Sequence, residues 1–121
     1  MRLHQVSMAA GEDLAETTRF YQDVVGARHL ATFDPPGLVF FDIGGVRIMF
    51  EGNSASSVLY LWVDDIDAAV AEYESRGANF TGPPHPIHKD EDGTFGPAGE
   101  TEWMAFFEDP AGNTLALATR R

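Results

Sequence analysis

The chain has no cysteine among its 121 residues, which excludes disulfides, thiol nucleophiles and cysteine-based metal sites. It has no apolar run near the roughly 20 residues needed to cross a bilayer, so no membrane partner is expected. No apolar leader precedes the first strand-like run, and a cytoplasmic location is the expectation. Basic residues are scarce: 8 Lys and Arg stand against 19 Asp and Glu, a formal charge of −11. A phosphate backbone would be repelled, so nucleic acid is not an expected partner. A Ser-His-Asp arrangement, a phosphate-binding loop and a dinucleotide fingerprint are also missing. Gly44-Gly45 is a hairpin turn, because no helix follows it. The remaining composition, 44% apolar, suits one core-forming domain over residues 1–121.

What is present is a repeat. Asp13-Leu14-Ala15-Glu16 opens a segment that passes through Phe20-Tyr21 and closes at Gly26-Ala27. Asp65-Ile66-Asp67-Ala68 opens a second, which passes Tyr73 and closes at Gly77-Ala78. Self-similarity of this kind implies two copies of one module. Asp13 and Asp65 (or Asp64) are N-cap residues by type and position. Leu14, Thr18, Tyr21 and Val25 fall on one face of the first helix, and Ile66, Ala69, Val70 and Tyr73 on one face of the second. Strands are expected at 3–9, 29–33, 38–43, 46–51, 58–63, from 79, 103–108 and 114–118. The order is βαβββ twice, an α+β fold with modules at 1–51 and 57–121. A binding cleft should lie where the modules meet.

Residues 81–101 break the symmetry. They hold four of the seven prolines, four glycines, His85, His88 and the acidic run Asp90-Glu91-Asp92. A long loop is the expectation here, either a lid or a poorly ordered excursion. The acidic run lacks the spaced oxygen pattern of a calcium loop and is expected as a solvated tip.

Phe20-Tyr21-Gln22-Asp23-Val24-Val25-Gly26, Val63-Asp64-Asp65-Ile66 and Phe107-Glu108-Asp109-Pro110-Ala111-Gly112-Asn113 resemble, in order, three motifs of the vicinal oxygen chelate superfamily. That superfamily holds the glyoxalase, bleomycin-resistance and extradiol-dioxygenase proteins. The resemblance covers nearly the whole chain and implies a curved mixed sheet around the cleft, with the helices on its outer face. It implies a homodimer and a divalent metal ion held by four His or Glu ligands on the cleft. In this sequence those positions fall on Gln5 (or His4), Met49, Val58 and Ala116. Valine and alanine cannot ligate a metal, and methionine is a poor ligand for a hard or borderline ion. No metal cofactor is therefore expected.

Strand alternation then puts Arg47 and Glu51 on the cleft with Met49, and Tyr60 and Trp62 with Val58. Trp103 is a candidate stacking platform, and His85 and His88 either reach the cleft or remain solvated. Such a lining suits a small aromatic or apolar molecule. A metal-free binding protein is the expectation. The alternative is a lyase, isomerase or dioxygenase that keeps a divalent ion through His4, Glu51, His85 or His88.

Overall fold

Each helix starts where an aspartate can cap it. In the computed structural model, which describes Met1–Arg121, Asp13 Oδ1 accepts from Glu16 N at 3.0 Å and Asp65 Oδ1 from Ala68 N at 3.0 Å. The elements are β1 (Gln5–Ala9), α1 (Leu14–Arg19), a π-helical continuation (Phe20–Val25), β2 (Arg28–Phe33), β3 (Leu38–Ile43) and β4 (Val46–Glu51). They continue with β5 (Val58–Trp62), α2 (Ile66–Ser75), β6 (His85–Asp90), β7 (Glu100–Glu108) and β8 (Thr114–Arg120). Four strands form one sheet in the order β1-β4-β3-β2, and four form another in the order β5-β8-β7-β6. Two compact units result: Met1–Ser57 with Glu108–Thr114, and Val58–Phe107 with Leu115–Arg121. No helix is long and apolar enough to cross a membrane.

In the first unit β1 runs parallel to β4, with Gln5 opposite Arg47 and Ser7 opposite Met49. β3 is antiparallel to β4 and to β2. Ile48 and Phe50 on β4 are buried, as is Phe41 on β3. The Tyr21 ring lies 4.4 Å from Phe50 and 5.8 Å from Phe41. The helix widens to π geometry at Phe20 and ends at Gly26, whose φ of +79° is the left-handed conformation that favours glycine. Thr17 is buried beside the expected stripe, and its hydroxyl donates to the Ala10 carbonyl at 2.8 Å.

The turn from Glu108 to Thr114 belongs to this unit. The Tyr21 hydroxyl donates to Asp109 Oδ2 at 2.7 Å. Asp109 Oδ1 accepts from Ala111 N and Asn113 N, at 2.9 and 2.8 Å. Asn113 Nδ2 donates to Asp109 Oδ2 and to the Ala9 carbonyl, and Asn113 Oδ1 accepts from Ser57 N at 2.9 Å. Tyr21, Asp109 and Asn113 are all buried. Burial first, and then the Asp109 charge and hydrogen bond, push the phenol far above its ordinary value. Gly11 is part of the same packing: its φ is +72°, and a Cβ there would lie 2.9 Å from Ala111 Cβ.

In the second unit β5 and β8 run in the same direction. Thr114 N donates to the Ser57 carbonyl at one end and Val63 N to the Ala118 carbonyl at the other. Reciprocal bonds between Thr101 and Arg121 continue the antiparallel β7–β8 pair. On α2, Ile66 and Val70 are buried, and Tyr73 meets the Phe107 ring edge-on at 5.7 Å.

Residues 81–101 depart from the expected loop. Phe80 makes only an isolated bridge to Phe107, and the sixth strand is His85–Asp90. A strand there tolerates Pro86 because β6 is the sheet edge, where a missing backbone N–H need cost no ladder bond. A bulge between Pro86 and His88 absorbs the irregularity. Asp90 is also not part of a solvated tip, since only 2% of it is exposed.

Replacing Tyr21→Phe should lower unfolding free energy by about 1–3 kcal/mol, because Asp109 loses a buried donor. Urea titration checks this. Since the folded chain holds the phenolic proton more tightly than the unfolded chain, this contribution is complete below pH 10.0 and is lost as pH rises above it. Circular dichroism above that pH should show alkaline weakening in the wild type and less in the variant.

Candidate ligand-binding site

A strand of alternating leucine and alanine creates a trough. On β8, Leu115 and Leu117 are fully buried on one face, while Ala116 and Ala118 lie on the other. Bulky residues on the neighbouring strands stand above these small ones. The cavity has a volume of about 550 Å³ and is lined by Tyr60 and Trp62 of β5, Ile87 of β6, Glu102, Met104 and Phe106 of β7, and Ala118. Met104 and Ala118 of the lining pack with Ala116 in one buried cluster, and Phe106 lies against it. Tyr60 and Trp62 are 59% and 61% exposed, so both present ring surface to an entering molecule. The Trp62 indole N–H donates to Asp64 Oδ1 at 3.3 Å, which orients the ring.

The other expected residues of this unit take several positions. Val58 is exposed on the same alternating face of β5 as Tyr60. His85 lies beside the trough, its ring 5.9 Å from Phe106. His88 is opposite Glu102 in the β6–β7 register, with its ring 6.2 Å from Phe95. Trp103 faces away, because it alternates with Glu102 and Met104. The Arg121 guanidinium covers its ring at 4.4 Å and is itself paired to Asp67 at 2.8 Å.

Gln5, Arg47, Met49 and Glu51 share one face of the first sheet. Arg47 Nε donates to Gln5 Oε1 at 2.7 Å, and Gln5 Nε2 meets Met49 Sδ at 3.7 Å. Arg47 Nη2 is 3.0 Å from His4 Nε2. Glu51 instead accepts from Ser54 at 2.9 Å, so Arg47 and Glu51 do not form a carboxylate clamp. A smaller cavity of about 200 Å³ lies beside Arg2, His4, Asp42 and Arg47.

Beside Glu102 of the trough lies Arg120, whose side chain is 8% exposed. Its Nη2 donates to Asp90 Oδ2 at 2.8 Å and to the Pro97 carbonyl at 3.3 Å, and Nε donates to Glu100 at 3.4 Å. Nη1 is buried without a hydrogen bond, 4.0 Å from Glu102 Oε2. Asp90 also accepts from Thr94 N and Phe95 N, both at 2.8 Å. A Cβ on Gly96 would come within 2.9 Å of Arg120 Nε, so glycine is what lets the chain pass there. The Phe95 N–H leads the effects that, with Thr94 and Arg120, hold the Asp90 carboxyl at about 2 against its ordinary 3.8.

The model of the Glyoxalase/Bleomycin resistance protein/Dioxygenase superfamily matches residues 2–117. The chain belongs to that superfamily. Solved structures show the same fold. A lactoylglutathione lyase from Agrobacterium tumefaciens is 19% identical, with a TM-score of 0.73, covering 97% of this chain and 92% of that one. A superfamily member from Sphaerobacter thermophilus is 20% identical, with a TM-score of 0.72 and coverages of 98% and 96%. TnmS3, an antibiotic-binding protein from Streptomyces sp. CB03234, is 21% identical, with a TM-score of 0.71 and coverages of 97% and 93%. No curated protein matches the chain.

The divalent ion that some superfamily members use does not fit the residues found here. Gln5 and Met49 are bonded to each other, and Val58 and Ala116 carry no lone pair to donate. Nowhere do three His, Asp or Glu side chains form a group that could hold a metal ion.

Ile87, Glu102, Met104, Phe106 and Ala118 were not among the candidates from sequence. Alternation from the Phe107-to-Asn113 motif could have found Glu102, Met104 and Phe106, since Phe107 packs under α2 and its neighbours must face the other way. Ile87 could not be found, because its strand was hidden among prolines.

Replacing Asp90→Asn should loosen residues 91–99, read as faster amide exchange at Thr94 and Phe95. Because the folded carboxyl is depressed, its stabilisation is present above 3.8 and is lost as pH falls toward about 2. Acid titration followed by circular dichroism should therefore show a shallower loss in the variant.

Proposed function

We propose that this superfamily member is a small-molecule-binding protein that holds an aromatic or apolar ligand on the open face of its second sheet. The observation that carries this reading is the trough itself: about 550 Å³, floored by small and apolar side chains and walled by two exposed aromatic rings. That volume lies within the ordinary range for organic ligands, and the lining has the usual form of apolar surface with a few polar groups. Stacking against Tyr60 and Trp62 would remove ring surface from water on both partners. The likeness to an antibiotic-binding protein is a likeness of fold and agrees with this reading. A cytoplasmic homodimer belongs to the same proposal, and native mass spectrometry returning only monomer would remove the second element.

Titration calorimetry against a panel of fused-ring aromatic compounds tests the proposal. Trp62→Ala should weaken binding about tenfold or more, in keeping with the loss of a central aromatic contact. Ala118→Phe should fill the trough and abolish binding while the protein stays folded. Stoichiometric metal in the purified protein, with ligand affinity lost on chelation, would overturn the metal-free reading.

A further inference from the structure

We propose that the trough selects organic cations: a protonated amine or quaternary ammonium carried on an aromatic or aliphatic body. This rests on the trough being the ligand site.

Glu102 is the charged side chain in the lining, and no Lys or Arg joins it there. Its side chain is 29% exposed and accepts no hydrogen bond from Arg120, whose nearest nitrogen is 4.0 Å away. That guanidinium is already engaged by Asp90 at 2.8 Å and Glu100 at 3.4 Å. Three carboxylates therefore surround one cation, and Glu102 is the one of them that lines the trough. Asp64 adds a further carboxylate at the edge of the Trp62 indole.

The ligand's charge follows from what covering Glu102 would cost. A neutral apolar body would strip water from a carboxylate and return no partner. An anionic head would face that carboxylate directly, and the guanidinium nitrogen behind it, Arg120 Nη1, is buried. A cationic head would supply a direct partner, closer than the 4.0 Å of Arg120. It would also meet the π faces of Tyr60, Trp62 and Phe106, which attract cations placed within about 6 Å of a ring centroid. The net charge of −11 draws such a ligand toward the protein.

Three ligands of one shape separate the possibilities: 2-naphthylmethylammonium, 2-naphthylmethanol and 2-naphthoate, titrated at low ionic strength and about pH 8, where the amine keeps its proton. The ammonium should bind about tenfold or more tighter than the alcohol, and the carboxylate should bind worst. Added salt should shrink the cation's advantage, and Glu102→Gln should remove most of it, the ammonium losing far more affinity than the alcohol. Equal binding of ammonium and alcohol, both weakened by Trp62→Ala, would overturn the cation preference and leave the site standing. Tightest binding of the carboxylate would do the same. Failure of all three to bind, or binding insensitive to Trp62→Ala, would overturn the site as well. The wild-type ranking decides the question even if Glu102→Gln does not fold.

Discussion

The buried hydrogen bond from Tyr21 to Asp109 organises the first unit. An isolated carboxylate at that depth would be costly. It is tolerated because Tyr21, the Asn113 amide and two backbone N–H groups all donate to it. Asn113 then uses its remaining capacity on Ala9 and Ser57, the residues that end β1 and precede β5. Two motifs far apart in the chain, Phe20-Tyr21 and Asp109-Pro110-Ala111-Gly112-Asn113, are thus two halves of one polar cluster. The close approach of Gly11 to Ala111 follows from the same docking of the turn.

The second unit is arranged on a different principle, which is steric. Alternation on β8 places leucines on one face and alanines on the other. The leucines fill the core. The alanines leave room, and bulkier side chains on β5, β6 and β7 enclose it. A metal-type site would need lone pairs directed to one point; this face offers ring surface and volume with a single carboxylate. Such a lining suits recognition by shape, stacking and charge.

The Arg120 cluster joins that face to residues 91–99. Removing Arg120 would leave the buried Asp90 carboxylate without its cationic partner. Asp90 also receives two backbone N–H groups, so the segment from Glu91 to Gly99 is folded back on a fixed anchor. Phe95, 71% exposed, is carried by this anchored segment beside His88. Glu102 receives least from the arrangement, and for that reason it is the group with capacity left for a ligand.

By itself the sequence determined the repeat, both helix caps, most strands and the family, because these depend on local spacing: 3.6-residue and two-residue periodicity, capping aspartates and glycine stops. It also showed that the positions of the expected metal ligands carry the wrong side chains. It could not show β6, since Pro83, Pro84 and Pro86 have the local signature of a loop and only an edge position makes a strand of them. Nor could it show that Asp90, in an acidic run, would be buried against Arg120, thirty residues away in the chain. Trp103 illustrates the same limit: its residue type suits a stacking platform, but which face of β7 it occupies depends on the pairing of Thr101 with Arg121. Tertiary structure alone decided which side chains share the trough, because alternation fixes relative faces within a strand while sheet pairing decides which of those faces meet.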